Sequence, residues 1–313
     1  VFKPSRQASV SILKLAQLIQ ESGIPAGVVN VVTSADHNVT EELLKSLGVN
    51  MVSFTGGTET GKRLMELASG TVKKISLELG GKSPSIVLAD CDMEAAVGGI
   101  MSSIFMNQGQ MCTAGSRLLV EDKIHDEFVA KLVEKTKKLK IGPATNYDAD
   151  FGPVVSKEQR DKIKYFVDLG PMEGARLVCG GDIPTGGDLD KGFYIEPTIF
   201  THAKNSMRIA QEEIFGPVLV VMKFSSIDEA IRIANDSKYG LAATIWSKDI
   251  EKAKRIATKI QSGVVWINTY GGFYNEASFG GYKQSGSGRE LGKEGVLEYT
   301  QSKHVCIDQT PGG

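Results

Sequence analysis

Side chains that bind metals or form disulfides are few in this sequence, and they are scattered. Its 313 residues include four cysteines and four histidines, with no Cys-x-x-Cys pair or comparable cluster. A disulfide framework and a zinc site therefore gain no support. Free cysteines favour a reducing compartment, so we expect a cytoplasmic protein without a bound metal.

Long apolar runs and an excess of charge are also lacking. No stretch approaches eighteen uninterrupted apolar residues, so we expect no membrane-spanning segment. The formal net charge of −1 provides no field to attract nucleic acid or an anionic membrane. With 41% hydrophobic and 23% charged residues, a chain of this length can form two domains with a large core.

Glycine, by contrast, is abundant and often paired, as at Gly56-Gly57, Gly80-Gly81 and Gly280-Gly281. Such pairs predict tight turns and close approach of the backbone to a ligand. Around them, strand-like and helix-like segments alternate along most of the chain. This alternation predicts an α/β fold, with an incomplete Rossmann-like parallel sheet in residues 1–80 and a second α/β domain, the catalytic one, in residues 81–280.

Within residues 1–80, the pattern predicts a helix from Gln7 to Glu21 and a buried parallel strand from Val28 to Val32. A second helix is expected from Thr40 to Leu47. Residues 281–313 are expected to form a return segment and an oligomerisation strand. The strand-like tail from Tyr299 to Ile307 has no obvious partner within the chain.

Cys112 is the most informative residue, and it lies between a predicted helix and a predicted strand. Glu78 lies upstream, where another predicted strand runs into Gly80-Gly81. A nucleophilic thiol and a carboxylate base together support covalent catalysis on a carbonyl. Because a single cysteine in an apolar neighbourhood is more often a small buried hydrophobe, Cys112 alone does not decide the matter.

Two further motifs change that balance: Glu212 to Pro217 (EEIFGP) and Phe279 to Glu290 (FGGYKQSGSGRE). In sequence, order and spacing, these motifs and the segments around Glu78 and Cys112 resemble the aldehyde dehydrogenase superfamily. The resemblance extends from Val1 to about Asp308. It implies an NAD(P)-dependent enzyme that oxidises an aldehyde to a carboxylic acid.

The resemblance also implies a catalytic role for three residues. Cys112, as a thiolate, would attack the aldehyde, and its backbone N–H would stabilise the oxyanion before a thioester forms. Glu78 would activate the water that hydrolyses the thioester, which requires a pKa raised by partial desolvation. Glu290 would lie behind Glu78 as a proton relay, although a helix N-terminal acid is an equally good interpretation.

Cofactor contacts are implied at both ends of the predicted nucleotide. The turn containing Gly56, Gly57 and Gly61 precedes a helix whose N-terminus favours phosphate, although an ordinary glycine turn would look the same. The resemblance assigns Lys3 to the adenosine ribose. Three residues are assigned to the nicotinamide side: Leu79, Glu213 and Phe215.

Three positions depart from the usual family pattern. Arg6 stands where the family often has a glutamate for the ribose 2′-hydroxyl, and it would attract a 2′-phosphate, which favours NADP. Asp36 would oppose the phosphates from a loop that lacks the usual glycines. Thr40 replaces a small residue on the helix expected beneath adenine. The choice between NAD and NADP therefore stays open.

The first third of a usual family member has no counterpart here, so we expect a fragment of a longer polypeptide. That third contains an asparagine that donates to the oxyanion, and losing one such donor costs about a hundred- to a thousandfold in rate. A non-catalytic fragment or descendant with a structural or assembly role is therefore an alternative. A thioesterase or esterase that uses Cys112 and Glu78 without a cofactor is a third.

The expected substrate is a small aldehyde, which would meet the aromatic loop containing Tyr270, Phe273 and Phe279. Aromatic rings can receive a quaternary ammonium group by cation–π contact. Nearby segments resemble betaine-aldehyde-type members, which usually have Trp at the position of Phe279. An apolar funnel for medium or aromatic aldehydes is the alternative, and Phe279 favours it. The resemblance further implies a homodimer or homotetramer.

Overall fold

The computed structural model describes residues 1–309, and the chain divides into two compact units, Val1–Ile75 and the part from Ser76 onward. As predicted, it is an α/β structure. The first unit contains α1 (Ser9–Glu21), α2 (His37–Lys45), β1 (Met51–Thr55) and α3 (Thr58–Ser69), and β2 (Lys74–Glu78) spans the boundary. The predicted boundary at residue 80 stays a prediction. So does the predicted segment 281–313, whose last four residues lie outside the described ones.

The predicted strand from Val28 to Val32 is wrong, because only one parallel bridge forms there, between Phe2 and Val31. The Phe2 N–H donates to the carbonyl of Asn30 at 2.7 Å. Val28 and Val29 are 65% and 40% exposed. A β-branched run becomes a strand by packing its side chains on a half-buried surface, and these valines have no such surface.

Local signals set the ends of the first two helices. Gly23, at φ +84°, has the left-handed conformation that commonly follows the end of a helix, and α1 ends two residues before it. Asp36 caps α2 by accepting the N–H of Asn38 at 2.9 Å. The predicted start at Thr40 is therefore three residues later than the observed start of α2 at His37.

The second unit alternates strands and helices through most of its length. In chain order they are β3 (Pro84–Val87), α4 (Met93–Phe105), β4 (Arg117–Glu121), α5 (His125–Thr136), α6 (Lys157–Met172), β5 (Arg176–Cys179), β6 (Thr198–Thr201), α7 (Arg208–Gln211), β7 (Val218–Phe224), α8 (Ile227–Asn235), β8 (Tyr239–Gly240), β9 (Ala242–Trp246), α9 (Ile250–Ala257), β10 (Val264–Ile267), β11 (Tyr282–Lys283), β12 (Gly286–Ser287) and α10 (Gly292–Glu298).

Seven strands of this unit form one sheet in the order β10-β9-β3-β4-β7-β6-β5. All neighbours are parallel except β5, which is antiparallel to β6. Alternate residues of β3 and β4 serve two cores. Val87 and Leu118 pack in the core that contains residues of α4 and α5, whereas Ile86 and Leu119 pack with residues of α8 and α9. Burial of both faces explains why these strands are continuous apolar runs.

The sheet brings two functional segments together at the amino ends of β3 and β4, where Pro84 is paired with Arg117. The segment from Glu78 leads into β3, and the segment from Cys112 leads into β4. They touch at Gly81, where a Cβ atom would overlap the carbonyl oxygen of Cys112. Glycine is therefore required at this crossing.

The tail from residue 301 to residue 309 has no regular structure. Val305 and Ile307 are 71% and 72% exposed. The predicted strand from Tyr299 to Ile307 therefore does not form within the described chain, since no strand of residues 1–309 pairs with it. Its pairing with another subunit stays a prediction. Among the helices described, none is long and apolar enough to cross a membrane.

Candidate active site

Glu78, the last residue of β2, is a buried carboxylate. Its exposed fraction is 3%, and neither of its carboxylate oxygens has a hydrogen-bond partner within residues 1–309. Burial raises the pKa of Glu78 to about 7; the charge of Glu290 adds to this and the charge of Arg289 opposes it. A carboxylate with such a pKa can exchange a proton with water near neutral pH.

Cys112 carries a free, half-buried thiol in the segment between α4 and β4. Burial raises the pKa of this thiol, and the charges of Glu213 and Glu78 raise it further. The backbone N–H groups of Cys112 and Thr113 lower the pKa by a smaller amount. The thiol is therefore protonated in this arrangement, and its attack on a carbonyl requires a proton acceptor.

Glu213 lies over the glycine pair that follows β2. Its Oε1 accepts the N–H of Gly81 at 3.0 Å, and a Cβ atom on Gly80 would overlap its Oε2. Burial raises the pKa of Glu213, although the Gly81 N–H lowers it in part. In this position the carboxylate is close enough to Cys112 to perturb its thiol. The predicted contact with a ribose would require the carboxylate to share or leave the Gly81 N–H.

Glu290 and Phe279 are joined to each other near Glu78. They exchange two backbone hydrogen bonds of 2.7 Å as an antiparallel bridge. The next residue, Gly280, packs so closely on Glu78 that a Cβ atom would lie 2.9 Å from its Oε1. The structure thus brings the predicted relay residue and one predicted substrate residue to the predicted base.

Two other predicted cofactor residues are held by their backbones. The Leu79 N–H donates to the carbonyl of Ser285 at 2.9 Å. Phe215 has a left-handed backbone, with φ +58°, and its carbonyl accepts the side-chain amide of Gln159 at 2.8 Å. These contacts fix the course of the chain just after Glu78 and Glu213, and they leave the predicted cofactor roles open.

The aromatic loop reaches the nucleophile segment. The hydroxyl groups of Tyr270 and Thr113 are 3.0 Å apart. Trp266 makes edge-to-face contacts with Tyr270 and Phe273, and Phe273 makes one with Phe279, with ring centroids 5.2 to 5.5 Å apart. A chain of rings therefore runs from the neighbour of Cys112 to the neighbour of Gly280. The sequence interpretation did not include Trp266.

The predicted phosphate turn lies in the first unit. Gly57 is the N-cap of α3, and the N–H of Gly61 donates to its carbonyl at 3.0 Å. A Cβ atom on Gly56 would overlap the ring of Phe54, so a side chain at this position would displace that ring. An exposed glycine turn at the start of a twelve-residue helix fits a dinucleotide phosphate.

The other first-unit residues are less organised. The Lys3 ammonium donates to the carbonyl of Pro4 at 3.3 Å, and Arg6 is exposed in the short 3₁₀ turn before α1. Asp36, expected to oppose phosphates, instead serves as the N-cap of α2, on which Thr40 lies half-buried. The predicted roles of Lys3 and Arg6 stay predictions.

Sequence reasoning missed two buried cations beside the site. Lys82 is 1% exposed, its ammonium has no hydrogen-bond partner in the described part of the chain, and burial, with Arg117 nearby, lowers its pKa to about 7. Arg117 donates to the carbonyls of Lys82, Ile233 and Ala234 at 2.7 to 2.9 Å, and to the side chain of Asn205 at 3.0 Å. The sequence signal for both residues is their position: Lys82 lies just before the buried strand β3, and Arg117 begins the buried strand β4.

The chain belongs to the aldehyde dehydrogenase family, since the profile of that family matches residues 1–305. It is similar to betaine aldehyde dehydrogenase of Bacillus subtilis (strain 168), with 50% identity over 99% of this chain and 64% of that protein. It is also similar to human retinaldehyde dehydrogenase 3, with 44% identity over 98% of this chain and 59% of that protein.

Solved structures agree with this assignment. The crystal structure of betaine aldehyde dehydrogenase from Staphylococcus aureus in complex with NAD+ matches with a TM-score of 0.95 and 46% identity. The match covers 97% of this chain and 60% of that one. The chain therefore spans about three fifths of the length of the relatives that it matches.

Proposed function

We propose that this chain carries the catalytic centre of an NAD(P)-dependent aldehyde dehydrogenase, with Cys112 as nucleophile and Glu78 as general base. One observation carries the proposal: Glu78 is buried without a hydrogen-bond partner, has a pKa of about 7, and lies within electrostatic reach of the Cys112 thiol. Family membership supports the reaction class.

Cys112 gives its proton to a neighbouring carboxylate, and its sulfur forms a bond to the aldehyde carbon. The resulting oxyanion is stabilised by the Cys112 N–H, one of the amides that already face the sulfur. The nicotinamide, when bound, supplies the hydride acceptor. Loss of a hydride from the adduct carbon to that acceptor would leave a thioester on Cys112. Glu78 then takes a proton from water, and the hydroxide attacks the thioester carbon. The carbon–sulfur bond breaks, the carboxylic acid leaves, and Glu290 relays the proton from Glu78.

We assign the phosphates to the turn of Gly56, Gly57 and Gly61, where the dipole at the N-terminus of α3 favours a negative charge. Lys3 is assigned to the adenosine ribose, and Arg6 to a 2′-phosphate when NADP binds. The nicotinamide side is assigned to Leu79, Glu213 and Phe215. The relatives solved with NAD+ support a dinucleotide at these positions.

For the substrate we propose a small aldehyde that carries a quaternary ammonium group. Its support is the chain of rings from Tyr270 through Phe273 to Phe279, which offers faces for a cation, and the similarity to proteins named betaine aldehyde dehydrogenase. A medium-chain or aromatic aldehyde is the alternative, since Phe279 replaces the usual Trp. We also propose assembly through the tail at Tyr299 to Ile307, in a reducing compartment such as the cytoplasm.

The test is reduction of NAD and NADP by the purified chain with betaine aldehyde, hexanal or benzaldehyde, followed at the absorbance of reduced nicotinamide. We expect reduction that falls by at least about a thousandfold in Cys112→Ser. Equal rates in the two proteins would contradict the role of Cys112. Ester hydrolysis without cofactor, and no reduction, would favour the thioesterase alternative. No reaction of either kind would favour a structural role.

A further inference from the structure

The chain makes an unusual turn just before Cys112. Three consecutive residues have left-handed backbones: Asn107 (φ +50°, ψ +34°), Gln108 (φ +56°, ψ +32°) and Gly109 (φ +68°). Glycine adopts this conformation freely, and asparagine adopts it more readily than most residues because its short side chain bonds locally. Glutamine has neither advantage, so Gln108 stores conformational free energy next to the reactive segment.

Hydrogen bonds between Asn107 and Gln110 hold this turn closed. The Asn107 side-chain amide donates to the carbonyl of Gln110 at 3.1 Å, and the Gln110 side-chain amide donates to the carbonyl of Asn107 at 3.2 Å. The backbone N–H of Gln110 also donates to the Asn107 carbonyl, at 3.0 Å. The Oε1 of Gln110 accepts the N–H of Val155 at 2.9 Å, which anchors the turn to the segment before α6.

Gly109 fixes the other side of the turn. A Cβ atom there would overlap the carbonyl of Gly216, so the turn lies directly against the chain that follows Glu213. Three residues later, Cys112 passes Gly81, where a Cβ atom would overlap the Cys112 carbonyl. The nucleophile segment is therefore confined between two glycine contacts, with the left-handed turn at its start.

We propose that the left-handed turn of Asn107, Gln108 and Gly109, locked by Asn107 and Gln110, positions the Cys112 thiol in its half-buried site. The proposal rests on the proposed role of Cys112 as nucleophile. Asn107 and Gln110 are positioning residues, because they act through the backbone and not on the reacting atoms. Retention of a costly conformation beside a reactive group is the pattern expected when strain serves function.

The test measures Cys112 alone. The rate of its alkylation by iodoacetamide is recorded against pH, in a Cys306→Ser background, because Cys306 is the exposed cysteine of the described chain. Asn107→Gly keeps a left-handed backbone but loses the side-chain bond to the Gln110 carbonyl, and Gln110→Met removes both side-chain bonds of Gln110 without adding a charge. We expect both to lower the pH midpoint towards the ordinary thiol value of about 8.5, since a loosened turn admits water to the sulfur.

Two glycine substitutions separate positioning from general stability. Gln108→Gly removes the conformational cost without removing a side-chain bond of the lock. Val72→Gly does the same in the first unit, because Val72 has φ +53° and is 91% exposed. We expect neither variant to lower the Tm. Only Gln108→Gly should lower the pH midpoint of Cys112 alkylation, because glycine gives the turn more conformational freedom.

An unchanged midpoint in all three turn variants, with the proteins folded, would overturn the proposal. An equal shift in Val72→Gly would overturn it too, because that change does not involve the turn. Alkylation needs neither cofactor nor aldehyde. A chain that reduces no NAD can therefore still show the positioning effect, and an active dehydrogenase can still lack it.

Discussion

The two units bury very different amounts of their apolar residues. In the first unit, α1 has no buried residue, and Leu13, Leu15 and Leu18 are 51%, 45% and 51% exposed. In the second, every residue of β3 and β9 is buried, and Leu118 and Leu119 of β4 are 0% exposed. The proposed base and nucleophile precede the densely packed strands, whereas the proposed phosphate turn lies in the loosely packed unit.

This difference indicates that proton transfer by Glu78 and binding of the cofactor phosphates require different surroundings. The raised pKa of Glu78 depends on removal from water, which only a packed environment provides. Phosphate binding at the start of α3 depends on the dipole of the helix N-terminus, which does not require removal from water. We therefore expect the catalytic pair, more than the phosphate turn, to depend on the core of the sheet.

Amide hydrogen exchange would test most directly whether the first unit is less stable than the second. We expect amides of β4 and β7 to be protected at least about a hundredfold more than amides of α1, because exposed helices open at low free-energy cost. Exchange measured by mass spectrometry on peptides from the native chain would check this. Similar protection in the two sets would mean that exposed apolar residues do not mark a weaker unit.

Glu78→Gln should slow hydrolysis of the thioester by about a hundredfold or more, the usual contribution of a general base. Because glutamine cannot take a proton from water, the acyl group should persist on Cys112, and intact mass should show it after addition of aldehyde and cofactor. In the unsubstituted chain, hydrolysis should rise with pH around a midpoint of about 7, the pKa of Glu78.

Glu290→Gln is the matched control. It removes the negative charge that helps to raise the pKa of Glu78, so the midpoint should move to lower pH, while hydrolysis continues at a rate reduced by the loss of the proposed relay. If the midpoint is unchanged in Glu290→Gln, the group that titrates is not Glu78.

The same carboxylate should reduce stability above neutral pH. Its pKa rises from an ordinary 4.5 to about 7 on folding, so the folded state binds the proton more tightly, and stability falls as pH rises between these values. Glu78→Gln should therefore match the unsubstituted chain at pH 4 and exceed its free energy of unfolding by about 3 kcal/mol at pH 8. Urea unfolding at both pH values would check this, and a difference independent of pH would point to packing instead.

Arg6→Glu addresses the loosely packed unit and should have the smallest effect. If Arg6 meets a 2′-phosphate, the KM for NADP should rise about tenfold, because a cation is replaced by an anion at an exposed site, while the KM for NAD changes little. Lys14→Glu, with the same change of charge elsewhere on an exposed surface, is the control. An equal rise for NAD and NADP would refute the role of Arg6.

Much of the second unit could be predicted because its signals are local. The predicted alternation of strands and helices is present there, as in α8 and β9, since periodicity and turn residues define both elements. The prediction of a strand from Val28 to Val32 was wrong because a strand depends on partners that are distant in the sequence. The buried surroundings of Lys82 were unpredictable for the same reason.

Arg117 has a consequence for how the protein folds. Its side chain joins residues that are 35, 88, 116 and 117 positions away, and each of those contacts closes a long loop. Contacts of such high sequence separation form slowly and late. We therefore expect the start of β4, which follows the Cys112 segment, to be fixed in place only after α8 has docked. An incompletely folded chain would then have an ordinary cysteine and an ordinary glutamate, and reactivity would appear only with the finished fold.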